Sequence, residues 1–577
     1  MCSKKAQGKF EFAGSPFTVV EGTGGDEIIE GICESVFDRS LFGEGTDDFR
    51  EEEISGREQL EAFLKKLDMP FTIVYEGYYI DRFFRDSFYM YFSNQHFPVN
   101  RYSQRLSFFN GRFDEKDYFS NGKGIEDRLQ ENFIGSCVIN PLVTGTLGTS
   151  LISPYYAVDD AKRPVNMRLS RFKLHIYGKT LYVRAFPYRA QDGETMRCAE
   201  VALLNMLEYY ANSYEDYRMV VPNEIIENER KSNHDRVLPS KGTTYPIMSK
   251  VLSELGFFPR LYSISAVDAF EFSSVSREDE FKRLLHYYVE SGIPVAVNLS
   301  PIGGGNGHSI VCIGHGKYNE DSGESRAEGK KWIPLKYYGN GRAIINSADY
   351  YDEYVVVDDN TPFYQVREFG QLSRYSGMAV DNIVVPLYKR MFMDAKDAYG
   401  VIQSLLSSED FGIINTKKND IDTLGENAVK NFRINTWVGK VVGETEDVVI
   451  RLFMASSSGL KKSRTRLLRS NALKELYAII PMPRFVWICE LYRKEDYGKT
   501  KRAFGEIVID ATSAPRKGYG SLILIHYPAA VIYRIPQNTK RDFKRIIRFP
   551  EEFPKGDYSK FEGFEGYSEN LEEIEKK

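Results

Sequence analysis

The sequence predicts an α+β protein of several domains, on three observations. Ala199, Ala202, Leu203, Met206 and Tyr210 follow Cys198 at i, i+3, i+4, i+7 and i+11, the spacing of a helix with a continuous core-facing stripe. Residues 132–190 and 292–316 hold short β-branched and aromatic runs separated by glycine-rich turns. The last third alternates strand-like runs with helical stretches. With 577 residues, 42% hydrophobic and 14% aromatic, the chain can build about two to four cores.

Residues 1–58 mix glycine with acids, as in EGTGGDEIIEG, and read as a flexible leader with at most short elements. REQLEAFLKK, from Arg57, has helical spacing and opens a β-rich N-terminal accessory domain expected over 59–184. Within it Arg82, Arg85 and Arg105 interleave with Tyr78, Tyr79, Tyr89 and Phe108. Such interleaving can make a stacking surface for an anionic ligand, but the nearby Asp81 and Asp86 favour core aromatics and arginines paired with acids. FIGSCVINPLV and FKLHIYGKTLYVRAFPY read as strands, the second folding as a hairpin around Gly178. Gly145 to Ser150 lacks the spacing and the lysine of a phosphate loop and reads as turn chemistry.

The chemistry-bearing stretch begins at Gln191. Thr195 is the expected N-cap, which puts Cys198 in the first helical turn, where unpaired N–H groups and the helix dipole favour a thiolate. Free cysteines are more often buried than reactive, so the position needs support from elsewhere. GIPVAVNLSPIGGGNGHSIVCIGHG supplies it, with His308 at the mouth of the second β run. YVVVDDNTPF then places Asp358, Asp359 and Asn360 directly after an apolar strand. A thiol catalyst needs an imidazole to take its proton and return it to the leaving group, and a carboxylate or amide to fix the imidazole tautomer. Gln191 can lend an amide N–H to an oxyanion beside the backbone N–H of Cys198. Among Asp358, Asp359 and Asn360, alternation through Val355 and Val357 favours Asp359.

These residues resemble the papain-like cysteine peptidases, especially the double-glycine-leader (bacteriocin-processing) peptidases. The resemblance rests on Gln191 seven residues before Cys198-Ala199, on Gly307-His308-Ser309-Ile310-Val311 followed by Gly314-His315-Gly316, and on the strand ending in Asp358-Asp359. It spans roughly residues 185–365. It implies Cys198 as nucleophile, His308 as general base and acid, Asp359 as orienting residue and Gln191 as oxyanion donor. It also implies a two-lobed papain-like domain over 185–395, with a helical lobe facing a twisted antiparallel sheet and substrate in the cleft between them.

Within this region TTYPIMSKVLSELGF and DEFKRLLHYYVESG read as helices that end at glycine. His286 falls on the solvent side of the second, His234 lies in a polar segment, and His315 alternates to the strand face opposite His308, so His308 is preferred as the base. Lys317 to Asp352 reads as a polar surface loop. An α+β C-terminal accessory domain is expected over 396–577, from the AKDAYGVIQSLLSS helix through WVGKVVG, EDVVIRLFMA and later strands to a polar tail. Lys461, Lys462, Arg464, Arg466 and Arg469 are consistent with a local patch for an anionic partner but read first as a solvated helix start, and Glu490, Glu506, Asp510 and His526 sit on apolar strands without metal-ligand spacing.

Lys+Arg of 76 against Asp+Glu of 81 leaves a formal charge of −5, which argues against a general nucleic-acid binder. The six cysteines, Cys2, Cys33, Cys137, Cys198, Cys312 and Cys489, are scattered, so no disulfide framework, metal or cofactor is expected and a reducing, cytoplasmic setting fits. The first residues lack the apolar core of a signal peptide, and no apolar run is long enough to span a bilayer. The expected function is a cysteine hydrolase that cleaves an amide bond of a protein or peptide substrate, peptide or isopeptide, through a thioester acyl-enzyme. An acyl transferase with the same residues and a silent papain-like binding protein are the alternatives; the presence of Gln191, Cys198, His308 and Asp359 together speaks against silence.

Overall fold

The computed structural model describes residues 16–21, 25–37, 56–96, 98–120, 122, 124–142, 146–159, 164–232, 236–266, 276–319, 344–407, 447–514, 518–527, 530–534, 544–548 and 563–575. WVGKVVG, His234, Gly145 and most of the polar insertion lie outside them. The architecture is α+β, with an N-terminal, a central and a C-terminal sheet.

Phe17–Val20, Phe71–Tyr79, Ser103–Asn110, Phe133–Ile139 and Leu147–Ile152 form a five-stranded antiparallel sheet in chain order. Period-two alternation sends Ile73, Leu106 and Phe108 into one core with Ile29, Ile32, Leu60 and Phe63, and Val74 and Phe109 into another with Phe172, Leu174 and Val183. The residues read as a leader thus supply a paired strand and a helix, Gly25–Val36, that buries Ile29, Ile32, Cys33 and Val36. Their acids occupy the outer face of an amphipathic helix. Likewise Leu147–Ile152 is a strand where a turn was expected. Ser170–Ile176 and Lys179–Ala185 form the hairpin, turning through Tyr177 and Gly178 at φ of 40° and 82°.

The central sheet orders its strands Arg260–Ser263, Met378–Val385, Val295–Pro301, His308–His315, Glu353–Asp358, Thr361–Glu368 and Val158–Asp159. Val165–Met167 pairs with the far end of His308–His315, and Glu572–Ile574, in the expected polar tail, pairs with Val165–Met167. Ile344–Asn346, inside the expected surface loop, pairs in parallel with Val448–Ser456 of a seven-stranded C-terminal sheet. Strand pairing therefore crosses the sequence-drawn limits at 184 and 395.

The helix Cys198–Ser213 packs on the His308–His315 strand. It is buried on every side from Ala199 to Tyr210, and each Leu or Met so buried contributes about 1.5–3 kcal/mol. Its polar residues must then be satisfied inside. Arg189 reaches Asn205 Oδ1 at 3.0 Å and pairs with Glu208, while Glu200 accepts from Ser240 Oγ at 2.8 Å and pairs with Arg236 at 3.1 Å.

The helix Arg277–Glu290 lies between the central and C-terminal sheets, so His286 is buried rather than on a solvent face. Its ring stacks on Tyr351 at 4.6 Å, and burial, helped by His315, holds it well below the usual imidazole range. A line of alternating charge crosses the same layer. His315 Nε2 meets Glu290 Oε2 at 2.6 Å, Arg451 Nε donates to Glu290 Oε1 at 2.6 Å, and Arg451 Nη1 donates to Glu490 Oε2 at 2.7 Å. Arg464 Nη2 then joins Glu490 and Glu506, each at 2.7 Å. Arg464 is thus fully buried, not part of a solvated helix start, and Glu490 and Glu506 are neutralised by arginine; Asp510 stands apart, accepting from the Thr512 N–H at 2.7 Å. Among the described residues no helix is long and apolar enough to cross a membrane.

Candidate active site

Cys198 is the first residue of its helix, and Arg197 rather than Thr195 is the N-cap. Thr195 instead belongs to a tight approach loop. Gly193 takes φ of 74°, and Asp192 Oδ1 accepts the backbone N–H groups of Glu194, Thr195 and Met196 at 2.9, 2.7 and 2.9 Å. Glu200 Oε2 reaches back to the Arg197 N–H at 3.0 Å. These bonds hold the cysteine at the helix start, where backbone N–H groups lack intrahelical acceptors. Cys198 is part-exposed, whereas Cys33, Cys137, Cys312 and Cys489 are buried.

His308 opens the neighbouring strand, and the Cys198 side chain beside it helps to hold its proton. Its Nε2 lies 2.9 Å from Asp358 Oδ1 and 3.8 Å from Asp359 Oδ1. Asp358, not Asp359, is therefore the hydrogen-bond partner of His308, which corrects the alternation-based choice. Register explains why. Cys312 pairs with Val356 across the ladder, so His308, Ile310 and Cys312 share a face with Val356 and Asp358. Val355 and Val357 point to the other face.

Burial opposes charge on His308, but Asp358, Cys198 and Asp359 outweigh it and hold the imidazole well above its usual range. Burial likewise opposes charge on Asp358, yet His308 keeps its carboxyl below the usual range. Asp359 behaves oppositely: burial, with Asp358 adding to it against the pull of His308, pushes it up to about 7. Its buried Oδ2 has no hydrogen-bond partner among the described residues.

Asn360 ties the turn together. Its N–H donates to Asp358 Oδ1 at 3.0 Å, its Nδ2 to Asp359 Oδ1 at 3.3 Å, and its Oδ1 accepts from Gln191 Nε2 at 3.2 Å. Gln191 thus reaches the carboxylate end of the site, leaving the second proton of its amide for another acceptor. Tyr188 and Gln59 support the turn from behind: Tyr188 OH donates to the Asp359 carbonyl at 3.1 Å, and Gln59 Nε2 to the Asn360 carbonyl at 3.1 Å. The Tyr375 ring meets His308 edge-on at 5.7 Å. Sequence reading missed Gln59, Tyr188 and Tyr375; only Tyr188, three residues before Gln191, lay near a recognised signal.

His308, Asp358 and Asp359 place one ligand atom each within 4.8 Å of one another and could hold a divalent cation, but Cys198 is not in that cluster. A cation there would take Nε2 from Asp358, whereas the hydrogen bond between them is suited to fixing the imidazole for moving a proton. His315, with both ring nitrogens on Glu290 Oε2 and the Gly316 carbonyl, is committed to the charge line. No protein-family model, no curated protein and no solved structure matches the chain.

Proposed function

We propose that the chain is a papain-like cysteine hydrolase that cleaves a peptide or isopeptide amide bond. One observation carries the reading: His308, hydrogen-bonded to the Asp358 carboxylate, sits beside the Cys198 thiol at a helix start. With Nε2 bound to Asp358, Nδ1 is the ring nitrogen that serves Cys198. His308 takes the thiol proton, and the sulfur adds to the amide carbonyl. The oxyanion formed is met by the Cys198 N–H and the Gln191 amide. His308 returns the proton to the leaving amine, and water, deprotonated by His308, hydrolyses the thioester. Asp358 holds the imidazole in one tautomer and balances its charge. The two-lobed layout, with a helical lobe against an antiparallel sheet, is part of the same reading; the packing of the cysteine helix on the histidine strand supports it. So does the free thiol state of the five described cysteines for a reducing setting.

The test is alkylation by iodoacetamide near neutral pH, read by peptide mass mapping, with Cys198→Ala as control. Selective labelling of Cys198, lost in His308→Gln, is expected; equal labelling with and without His308 removes the hydrolase reading. A primary amine added during turnover of a peptide library separates the outcomes: amidated product assigns an acyl transferase, free acid a hydrolase.

A further inference from the structure

Away from Cys198, the outer face of the Arg82–Met90 helix and the adjoining strand ends carry exposed aromatic and cationic side chains. Tyr78 is 84% exposed, Tyr89 58% and Ile80 57%. The Arg85 guanidinium lies 5.9 Å from the Tyr89 ring and 5.1 Å from the Tyr102 ring, and Arg101 lies 5.1 Å from Tyr102. Sequence reading expected Arg82, Arg85 and Arg105 to pair with Asp81 and Asp86. Instead Asp81 caps the helix by accepting the Phe83 N–H at 3.3 Å, and Asp86 accepts the Asn223 N–H at 2.6 Å. Of these three, among the described residues, Arg105 pairs with an acid, Glu76, at 2.5 Å. Among the described residues, Arg85 Nε donates to the Arg101 carbonyl at 3.2 Å and Arg101 Nη2 to the Tyr102 hydroxyl at 3.1 Å, while Arg85 Nη2 is buried without a hydrogen-bond partner.

We infer that this face docks an acidic stretch of a polypeptide substrate. The Tyr102 ring under the exposed Arg101 guanidinium holds it in place, so less side-chain freedom is lost when a carboxylate enters its fork beside Arg85. Tyrosine and arginine together, with an exposed isoleucine beside them, are the composition that dominates binding at protein interfaces. A nucleic-acid stacking platform needs free ring faces, whereas here arginines lie over Tyr89 and Tyr102, and the chain is net acidic at −5.

The inner face of the same helix meets the approach loop of the cysteine. Thr195 Oγ1 donates to Ser87 Oγ at 3.3 Å, and Tyr91 OH donates to Glu194 Oε2 at 2.9 Å. Arg85 and Tyr89 are two residues out of phase with Ser87 and Tyr91, hence on the opposite side. Patch and loop are separated by one helix diameter, about 10 Å. That this docking serves cleavage rests on the hydrolase reading; the docking itself does not.

The experiment uses a fluorescein-labelled glutamate-rich peptide, followed by anisotropy at low ionic strength with the full chain. Binding is expected, weakened about tenfold per arginine in Arg85→Ala/Arg101→Ala, with the Cys198 alkylation rate unchanged. Arg101→Ala alone, at an exposed position, gives the same reading should the double variant unfold. Cys198→Ala protein binds the peptide normally, so failure of the hydrolase reading leaves this result standing. Equal affinity of wild-type and variant protein overturns the proposal. So does preferential capture of oligo(dT) over the peptide, which assigns the face to single-stranded nucleic acid.

Discussion

Replacing each of the two aspartates after the Glu353–Asp358 strand separates the site geometry from its competitor. Asp358 Oδ1 is 2.9 Å from His308 Nε2, within hydrogen-bond reach, and both groups are buried. A hydrogen bond between charged partners contributes about 1.5–3 kcal/mol, so Asp358→Ala should slow alkylation of Cys198 by about 10- to 100-fold. Asp359 Oδ1 is 3.8 Å from the same nitrogen, beyond hydrogen-bond reach, so Asp359→Ala should change the rate by about threefold at most. The loss belongs at and below neutral pH, where an imidazolium must hold the thiolate, and should shrink toward about pH 8.5, where an ordinary free thiol ionises unaided. Among the other described cysteines the readout is clean, because burial pushes the Cys33, Cys137 and Cys312 thiols up to about 12, and Cys489 higher still. The measurement is the second-order rate of iodoacetamide modification at Cys198 across pH. An Asp359→Ala protein slowed as much as Asp358→Ala would refute the register-based assignment.

Burial raises Asp359 from 3.8 to about 7, so its contribution to stability is complete below about pH 4 and is lost as pH rises through about 7. Asp359→Asn, which cannot ionise, should therefore raise the stability above pH 7, by at most about 4 kcal/mol and seen as a higher melting temperature, and leave it nearly unchanged in acid; a stabilisation confined to acid pH has the wrong sign. His308→Gln should abolish selective modification of Cys198, while His315→Gln should leave it intact at temperatures where the variant is folded, by mass mapping beside circular dichroism. Arg451→Met uncovers Glu290 and Glu490 in the buried charge line and should cost about 3–5 kcal/mol in urea unfolding; a loss under about 1 kcal/mol would mean the line is not desolvated as described.

Much of the fold was legible because local pattern and tertiary role agreed. Gly178 announces its hairpin, the glycine after Glu290 marks a helix end, and the apolar spacing after Cys198 gives the helix that carries it. Failures share one cause: burial from a second side. His286 sits on the polar side of its pattern, yet a second sheet covers that side. Arg464, in a basic run, is drawn inside by Glu490 and Glu506, which lie far along the chain. The Gly25–Val36 helix escaped notice because the acids on its outer face and the glycines around its start dominate the composition.

The candidate site divides the same way. Residue chemistry alone singles out Cys198, His308 and the aspartate pair, because a helix-start thiol, a strand-mouth imidazole and a post-strand carboxylate are each visible in local sequence. Choosing between Asp358 and Asp359 needs the pairing of Cys312 with Val356, which determines the face each carboxylate occupies. Both faces of that strand are apolar, so alternation by itself carries no sign. The supports from Gln59 and Tyr188, distant along the chain, arise only when the N-terminal elements fold against the turn.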